Sequence, residues 1–156
     1  MVRTMLLVGE QRSILIVDPN AAIRRMLEVH LVGMGHSVAT CRSASEAIEL
    51  LNAGEFHLVV TESETPDGSG FDILRATQQH PSNHHIATII ISDRNHPERI
   101  MKALERGADD YLTKPISPAI VVARVAAVLD LQSRGLLDSR GPDVLDLPKL
   151  DRTLRE

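Results

Sequence analysis

The sequence predicts an α/β fold in which helices cover both faces of a parallel β-sheet. Short runs rich in β-branched residues alternate five times with longer segments of helical periodicity, as in proteins built from repeated strand–helix units. Several strand segments are almost entirely apolar, as expected of strands that are buried on both faces. The length of 156 residues fits one such domain with a sizeable core and is too short for two full domains.

The first two strand–helix units have recognisable boundaries. The first strand is predicted at 14–18, and Asn20 is a suitable N-cap for the helix that follows it. The second strand is predicted at 36–40. The three-residue spacing of Ser43 and Glu46 is that of a capping box, which predicts the start of the second helix.

The remaining units follow the same scheme. Strands are predicted at 57–61, 86–91 and 109–113. Pro97 suits the first turn of the fourth helix, and Ser117 precedes the proline that opens the fifth. Five such units with right-handed crossovers predict a flavodoxin-like, doubly wound (βα)5 sheet with the strand order 2-1-3-4-5.

The composition argues against several classes of function. A net charge of −4 and a pI near 6.0 do not suit nucleic-acid binding, and one Tyr, two Phe and no Trp leave little for base stacking. The single cysteine, Cys41, excludes an internal disulfide and is expected to pack as a small hydrophobe. Because no segment is long and apolar enough for a signal peptide or a membrane span, we expect a soluble cytoplasmic protein.

Polar residues stand where the strand segments end. Asp18, Glu62 and Ser92 each end an apolar run, and Lys114 follows a fourth run. In doubly wound sheets the functional crevice lies beyond the carboxyl ends of the strands, so we expect these four side chains to lie together. The two acids would repel each other without a cation, which favours an ion pair with Lys114.

These residues occur with two further motifs, Pro-Asp-Gly-Ser-Gly at 66–70 and Asp-Asp-Tyr-Leu-Thr-Lys-Pro at 109–115. Together they resemble the response-regulator receiver family, whose members share the fold of the chemotaxis receivers. The resemblance covers residues 13–131 and implies a module of two-component signal transduction and phosphorelays, not an enzyme. Residues 1–12 would be an N-terminal extension, and 132–156 a flexible tail or linker that glycine and proline interrupt.

The resemblance also exposes two departures from the family pattern. In receivers the residue four positions before the loop proline is the aspartate that accepts a phosphoryl group, and here that position holds Glu62. The family places two adjacent acids after the first strand. Asp18 matches the first, whereas Pro19 replaces the second, which is the family's direct Mg²⁺ ligand. The resemblance therefore implies an atypical, degenerate receiver with weak or absent Mg²⁺ binding and no other cofactor.

Three interpretations of Glu62 stay open. It accepts a phosphoryl group itself, it reflects drift after loss of function, or it is a built-in mimic of the phosphorylated state. Glutamate reaches about 1.5 Å further than aspartate. A phosphoryl group would add more negative charge and three acceptor oxygens, so any mimicry is partial.

The resemblance assigns roles to the other strand-end residues. Ser92 aligns with the hydroxyl that bonds the phosphoryl group, Lys114 with the lysine that pairs with the acceptor, and Tyr111 with the switch aromatic. Asp67 is expected to be a turn residue. Three histidines before the fourth strand are expected to form a polar loop instead of a metal site. They are His80, His84 and His85.

The last helix carries few charges, which predicts that a second apolar face is covered by a partner. Receivers commonly use the last two helices and the last strand for such contacts, so we expect a homodimer or a protein partner there. The predicted face consists of Val121, Val122, Val125 and Val128. The alternative is that the apolar patch at 5–8 or the C-terminal tail folds over this helix.

The leading hypothesis is a pseudo-receiver that acts as a phosphorylation-independent protein-interaction module. One alternative is a functional receiver that is phosphorylated at a non-standard site. Another is a small-molecule sensor that uses the strand-end crevice, although no glycine-rich phosphate loop follows the first strand. A DNA-binding regulator needs a helix-turn-helix that we do not find in this sequence.

Overall fold

The computed structural model describes residues 10–82 and 84–137. Its main sheet is parallel, with the strand order β2-β1-β3-β4-β5. The strands are β1 (Ser13–Val17), β2 (Ser37–Cys41), β3 (Leu58–Glu62), β4 (Ala87–Ser92) and β5 (Asp110–Thr113). The flavodoxin-like fold and its predicted strand order are confirmed. The apolar patch at 5–8 and most of the tail lie outside the described residues.

Five helices connect and cover the strands. They are α1 (Ala21–Gly33), α2 (Ala44–Ala53), α3 (Gly70–Gln79), α4 (Pro97–Glu105) and α5 (Pro118–Ser133). A short antiparallel hairpin, in which Glu64–Thr65 pairs with Gly68–Ser69, lies between β3 and α3. Helix α5 extends two residues beyond the predicted domain end at 131, and Leu137 packs against the core.

Local sequence signals explain several helix starts. The Asn20 side chain accepts hydrogen bonds from the backbone N–H groups of Ala22 and Ile23, as its predicted N-cap role requires. The Ser43 hydroxyl accepts from Glu46 N at 3.3 Å, which is one half of the predicted capping box. In a capping box the Glu46 carboxylate would accept in return from the backbone N–H of Ser43. Here it accepts from the backbone N–H of the preceding residue, Arg42, at 3.5 Å.

Three strands end one residue later than predicted, and this matters for β3. Glu62 pairs in register with Ile91 of β4 and is therefore the last residue of its strand. The pairing continues past it, since Ser63 N donates to Ile91 O at 3.1 Å. The backbone of the site is thus fixed by the sheet up to Ser63.

The core occupies both faces of the sheet because successive side chains of each strand point in opposite directions. Ile14 and Ile16 of β1 pack on the face covered by α1 and α5. Leu15 and Val17 pack on the face covered by α2 and α3. A third group of buried residues lies beneath α4 and includes Tyr111. Nearly continuous apolar strands are what this two-sided burial requires.

The predicted apolar interface on α5 is wrong for three of its four valines. Val121, Val125 and Val128 are 1%, 0% and 5% exposed and belong to the core. Their i, i+4, i+7 spacing is that of the helix stripe that faces the sheet, and Val122 is half-buried. The helix has few charges because small residues occupy much of its outer face. These exposed residues are Ala123, Ala126 and Ala127.

Cys41 is a free, buried residue in the core on the α2 side, as the sequence predicts. Burial raises the pKa of its thiol to about 11. Within the described ranges, no helix has the length and apolar character needed to cross a membrane.

Candidate functional site

The carboxyl ends of β1, β3, β4 and β5 bring four polar side chains to one edge of the sheet. Asp18 and Lys114 directly follow β1 and β5, whereas Glu62 and Ser92 are the last residues of β3 and β4. Asp18, Glu62 and Ser92 are 3%, 8% and 0% exposed. Burial of this kind is costly for a carboxylate unless a cation compensates it.

Lys114 supplies that cation. Its Nζ lies 2.5 Å from Glu62 Oε2 and 3.0 Å from Asp18 Oδ2. Burial by itself would lower the pKa of Lys114, but the hydrogen bonds and charges of the two carboxylates outweigh it, so the pKa is raised. Lys114 is therefore an ammonium ion at neutral pH, held between the two acids.

The other two carboxylate oxygens are also engaged. Asp18 Oδ1 accepts a hydrogen bond from Asn20 N at 2.8 Å. Glu62 Oε1 accepts from Ser63 N at 3.1 Å and from Ser63 Oγ at 3.2 Å. Each oxygen of the acidic pair thus contacts a donor of the protein itself.

Pro19 is exposed beside this site and contributes no carboxylate. The Arg24 guanidinium reaches over the same loop, and its Nη1 donates to the carbonyl oxygens of Asp18 (2.6 Å) and Pro19 (3.1 Å). A cationic side chain therefore covers the loop in which the family carries its second acid. Arg24 has no signal of this role in the sequence, because only its helical position after the N-cap Asn20 brings it back to the loop.

The residues at this site do not fit Mg²⁺. That ion requires near-octahedral coordination by oxygen ligands, usually one or two carboxylates together with waters and phosphate oxygens. Here both carboxylates bind the Lys114 ammonium, their remaining oxygens accept backbone hydrogen bonds, and Pro19 offers no replacement. Nor do the described residues include any group of three His, Cys, Asp or Glu arranged to hold a metal ion.

Ser92 is connected to Glu62 through Ser63, a residue that is not among the predicted site residues. Ser63 Oγ lies 2.6 Å from Ser92 Oγ, and Ser63 is 1% exposed. Ser92 Oγ also accepts from Arg94 N at 3.1 Å. Only the register of β3 against β4 places the two hydroxyls together, so spacing along the chain gives no direct signal.

Tyr111 is turned inwards and secures the loop after β4. It is 9% exposed, packs with Leu74 and Ile90, and its hydroxyl donates to Arg94 O at 2.7 Å. The Arg94 guanidinium forms a two-contact ion pair with Glu64 of the hairpin, at 3.0 and 3.3 Å. The loop after β4 is thus attached both to β5 and to the hairpin after β3.

Asp67 lies in the turn of the hairpin and anchors it. Its carboxylate accepts from the backbone N–H groups of Ala44 (2.9 Å) and Ser45 (3.2 Å) at the start of α2. Hydrogen bonds from Ser45, Ala44 and Thr65 hold the pKa of Asp67 below its usual value, with the Ser45 side chain the largest contributor. This is a structural role, in agreement with the predicted turn residue.

The three histidines do not converge on a common point. His80 Nε2 contacts Leu51 O at 2.8 Å, whereas His85 Nε2 pairs with Asp109 at 3.0 Å. The His84 ring stacks on His57, with centroids 5.2 Å apart. The three histidines of the loop before β4 therefore each contact a different residue elsewhere in the fold.

Comparison with known proteins agrees with the fold. The sequence model of the response regulator receiver domain matches residues 14–126. The transcriptional regulatory protein AfsQ1 of Streptomyces coelicolor is 33% identical over 127 residues, which cover 81% of this chain and 55% of AfsQ1. The phosphate regulon transcriptional regulatory protein PhoB of Escherichia coli is 32% identical over 118 residues, covering 76% of this chain and 52% of PhoB. The chain thus spans about half the length of these relatives.

Solved structures give the same result. The CheY-like receiver domain protein of Methanospirillum hungatei superposes with a TM-score of 0.74 at 26% identity, and the match covers 81% of this chain and 99% of that one. The matched family region contains Asp18, Glu62, Ser63, Ser92 and Lys114. The chain therefore belongs to the response regulator receiver domain family.

Proposed function

We propose that this receiver is a pseudo-receiver, a protein-interaction module of a two-component-type signalling pathway that works without phosphorylation. The observation that carries the proposal is the lost second acid, because Pro19 is exposed beside the site and offers no carboxylate. The two acids that remain, Asp18 and Glu62, both pair with the Lys114 ammonium, at 3.0 and 2.5 Å. The carboxylates that could hold a divalent cation at this edge are thus reduced to two, and both already contact a cation of the chain.

The chemistry of phosphoryl transfer supports this proposal. Transfer depends on positioning and on cations that neutralise the phosphoryl oxygens. In this site the Lys114 ammonium is already shared by two carboxylates, and Pro19 lacks the carboxylate that would bind the metal. Glu62 also has both oxygens engaged, by Lys114 and by Ser63. It is therefore poorly placed as a nucleophile.

The same contacts favour mimicry over drift. A buried carboxylate that had merely lost its function would be under pressure to lose its charge, because burying a charge is unfavourable unless it is paired and hydrogen-bonded. Glu62 is 8% exposed and is fully paired. We infer that its permanent charge stands in part for the phosphoryl group.

The proposal is tested by incubating the protein with acetyl phosphate and Mg²⁺ and measuring its intact mass. We expect no adduct of about 80 Da, the mass of a phosphoryl group. The matched control is the double variant Pro19→Asp/Glu62→Asp, which restores both family acids and is expected to gain the adduct. An adduct on the unaltered chain that peptide mapping places at any carboxylate would overturn the proposal and favour a phosphorylated receiver.

The partner is proposed to be a protein that contacts the surface of α4, β5 and α5, or a second copy of this chain. Exposed apolar side chains support this choice, with Met101 and Leu104 of α4 58% and 37% exposed and Ile120 of α5 54% exposed. Sedimentation of the chain over a range of concentrations tests self-association. If the chain dimerises through this surface, Met101→Glu abolishes the association. Val29→Glu, at an exposed position of α1, leaves it unchanged.

A further inference from the structure

Ser63 connects the Glu62 carboxylate with the loop that follows β4. Its hydroxyl contacts Glu62 Oε1 at 3.2 Å and Ser92 Oγ at 2.6 Å. Ser92 Oγ in turn accepts from Arg94 N at 3.1 Å. Three consecutive contacts thus join the acidic pair to the first residues of the loop.

The direction of each hydrogen bond follows from the protons available. A serine hydroxyl has one proton to donate, and an ionised carboxylate can only accept. Ser63 therefore donates to Glu62, so that Ser92 must donate to Ser63. Ser92 can then accept only through its lone pairs, which is what the Arg94 N–H requires. All three hydrogen bonds therefore donate in the direction of Glu62, from Arg94 to Ser92, from Ser92 to Ser63 and from Ser63 to the carboxylate. This direction is fixed because the ionised carboxylate can only accept.

Ser63 is held firmly enough to act in this way. It is 1% exposed. Its backbone N–H donates to Ile91 O at 3.1 Å, and its carbonyl accepts from Gly70 N at 2.9 Å. A Cβ at Gly70 would lie 2.9 Å from Glu62 O and 3.3 Å from the Ser63 Cα, so the close fit of this turn depends on glycine.

The far end of the chain of bonds reaches the outer elements. The carbonyl of Arg94 accepts from the Tyr111 hydroxyl at 2.7 Å. The side chain of Arg94 pairs with Glu64 at 3.0 Å. A change in the hydrogen bond at Arg94 N therefore acts on a residue whose carbonyl is bound to β5 and whose side chain is bound to the hairpin.

We propose that Ser63 is a positioning residue that transmits the charge state of Glu62 to the loop after β4. This rests on the proposed function, because it describes how a permanent charge at residue 62 would hold the loop and Tyr111 in one arrangement. The observation that carries it is the continuous bond chain from Glu62 through Ser63 and Ser92 to Arg94.

The substitution Glu62→Gln probes this chain without a change in size. The amide oxygen is expected to face the Lys114 ammonium, which leaves the amide NH₂ towards Ser63. The Ser63 backbone N–H then loses its bond to residue 62 and keeps the one to Ile91 O. Ser63 must then accept from that NH₂ and donate to Ser92, so the polarity of the chain is reversed. The bond between Ser92 and Arg94 N is weakened, because Ser92 Oγ no longer donates its proton into the chain.

The test is a double-variant comparison on the full chain, with the amide hydrogen exchange of Arg94 measured by NMR. We expect Glu62→Gln to accelerate this exchange about three- to tenfold, in line with the weakening of one hydrogen bond. In a Ser63→Ala background, the same substitution should add no further acceleration, because the path is already broken. Tyr111 is the only tyrosine, so the single ¹⁹F resonance of 3-fluorotyrosine-labelled protein should follow the same pattern.

Thr88→Val is the control, because Thr88 is a fully buried hydroxyl of β4 outside the chain of bonds. The effect of Glu62→Gln should persist in that background. If Ser63→Ala fails to fold, as judged by circular dichroism, Ser92→Ala replaces it with the same expectation. Equal effects of Glu62→Gln with and without Ser63, or no effect in any background, would overturn the role of Ser63. Neither result would affect the proposed function, which fails only if the chain takes up a phosphoryl group.

Discussion

Lys114 and Glu62 form an ion pair in which Nζ lies 2.5 Å from Oε2 at the edge of the sheet. The position that accepts a phosphoryl group in other receivers is thus occupied by a carboxylate that already has a counter-ion. Asp18 shares the same ammonium at 3.0 Å. The site is a three-charge cluster within the protein, with one net negative charge.

The first prediction concerns the contribution of this cluster to stability. Lys114→Met removes the shared cation and leaves two carboxylates that are 4% and 10% exposed at their side chains. We expect a loss of about 2–3 kcal/mol in the free energy of unfolding, below the range for fully buried pairs because Lys114 is partly exposed. Urea denaturation at pH 7 measures it.

The matching control combines Lys114→Met with Glu62→Gln. Because that variant leaves one unpaired carboxylate in place of two, it should recover about 1 kcal/mol or more of the loss. A Lys114→Met variant as stable as the unaltered chain would show that the cluster is solvated and does not hold the site together.

A second prediction concerns pH, through two histidines at the opposite end of the sheet. His36 Nδ1 accepts from Arg12 N and His57 Nδ1 accepts from Ser13 N, each at 3.1 Å. Burial lowers the pKa of both histidines below 6.5, and the positive charge of Arg12 lowers it further in each case. For His57, His84 lowers the pKa as well, whereas Glu55 and Glu10 partly oppose the shift. Both rings are therefore neutral in the folded protein at pH 7.

The sign of the pH effect follows from these directions. Below pH 6.5 the unfolded chain binds more protons at these sites than the folded one, so stability falls as the pH is lowered through that value. The double variant His36→Asn/His57→Asn keeps an acceptor at both positions without the titration. Its unfolding midpoint should change less between pH 7.5 and about 5.5 than that of the parent chain. Identical pH profiles would contradict the assignment.

A third prediction uses two glycines as a matched pair. A Cβ at Gly70 would meet Glu62 O at 2.9 Å, whereas a Cβ at Gly33 would meet nothing within 4 Å. Gly70→Ala should cost about 1–3 kcal/mol because backbone must shift. Gly33→Ala, at the end of α1, should be neutral or stabilising by up to about 1 kcal/mol. Thermal unfolding of the two variants compares them directly, and equal effects would contradict the close approach at Gly70.

A fourth prediction concerns Cys41. Because burial raises the pKa of its thiol to about 11, very little reactive thiolate exists near neutral pH. The native protein should react with a disulfide reagent far more slowly than the urea-unfolded chain. Rapid reaction of the native protein would show that β2 opens readily at this edge of the sheet.

Much of the architecture could be predicted from the sequence because its physical causes are local. The five apolar runs, the N-cap Asn20 and the helix-starting Pro97 specify elements without knowledge of their neighbours. The strand order is the one expected of a flavodoxin-like sheet built from such units. Asp18 and Lys114 follow apolar runs in the sequence, and a parallel sheet brings the ends of those runs to one edge.

The parts that could not be predicted depend on contacts between elements. Ser63 meets Ser92 only because β3 and β4 pair in one register. Arg24 reaches the loop of Pro19 through the length of its side chain. The inward position of Val125 is not evident from the sequence, because a helix with alanines on its outer face resembles one that is apolar on two sides.

The central claim is that the site around Asp18 and Glu62 does not bind a divalent cation, because Pro19 removes the second acid and both remaining carboxylates pair with Lys114. A titration of the full chain with millimolar Mg²⁺, followed through the NMR amide resonances of Asp18, Glu62 and Lys114, tests it most directly. We predict no saturable shift for the unaltered chain and a clear one for Pro19→Asp/Glu62→Asp. Saturable binding of Mg²⁺ by the unaltered chain, with shifts centred on Asp18 and Glu62, would contradict the account.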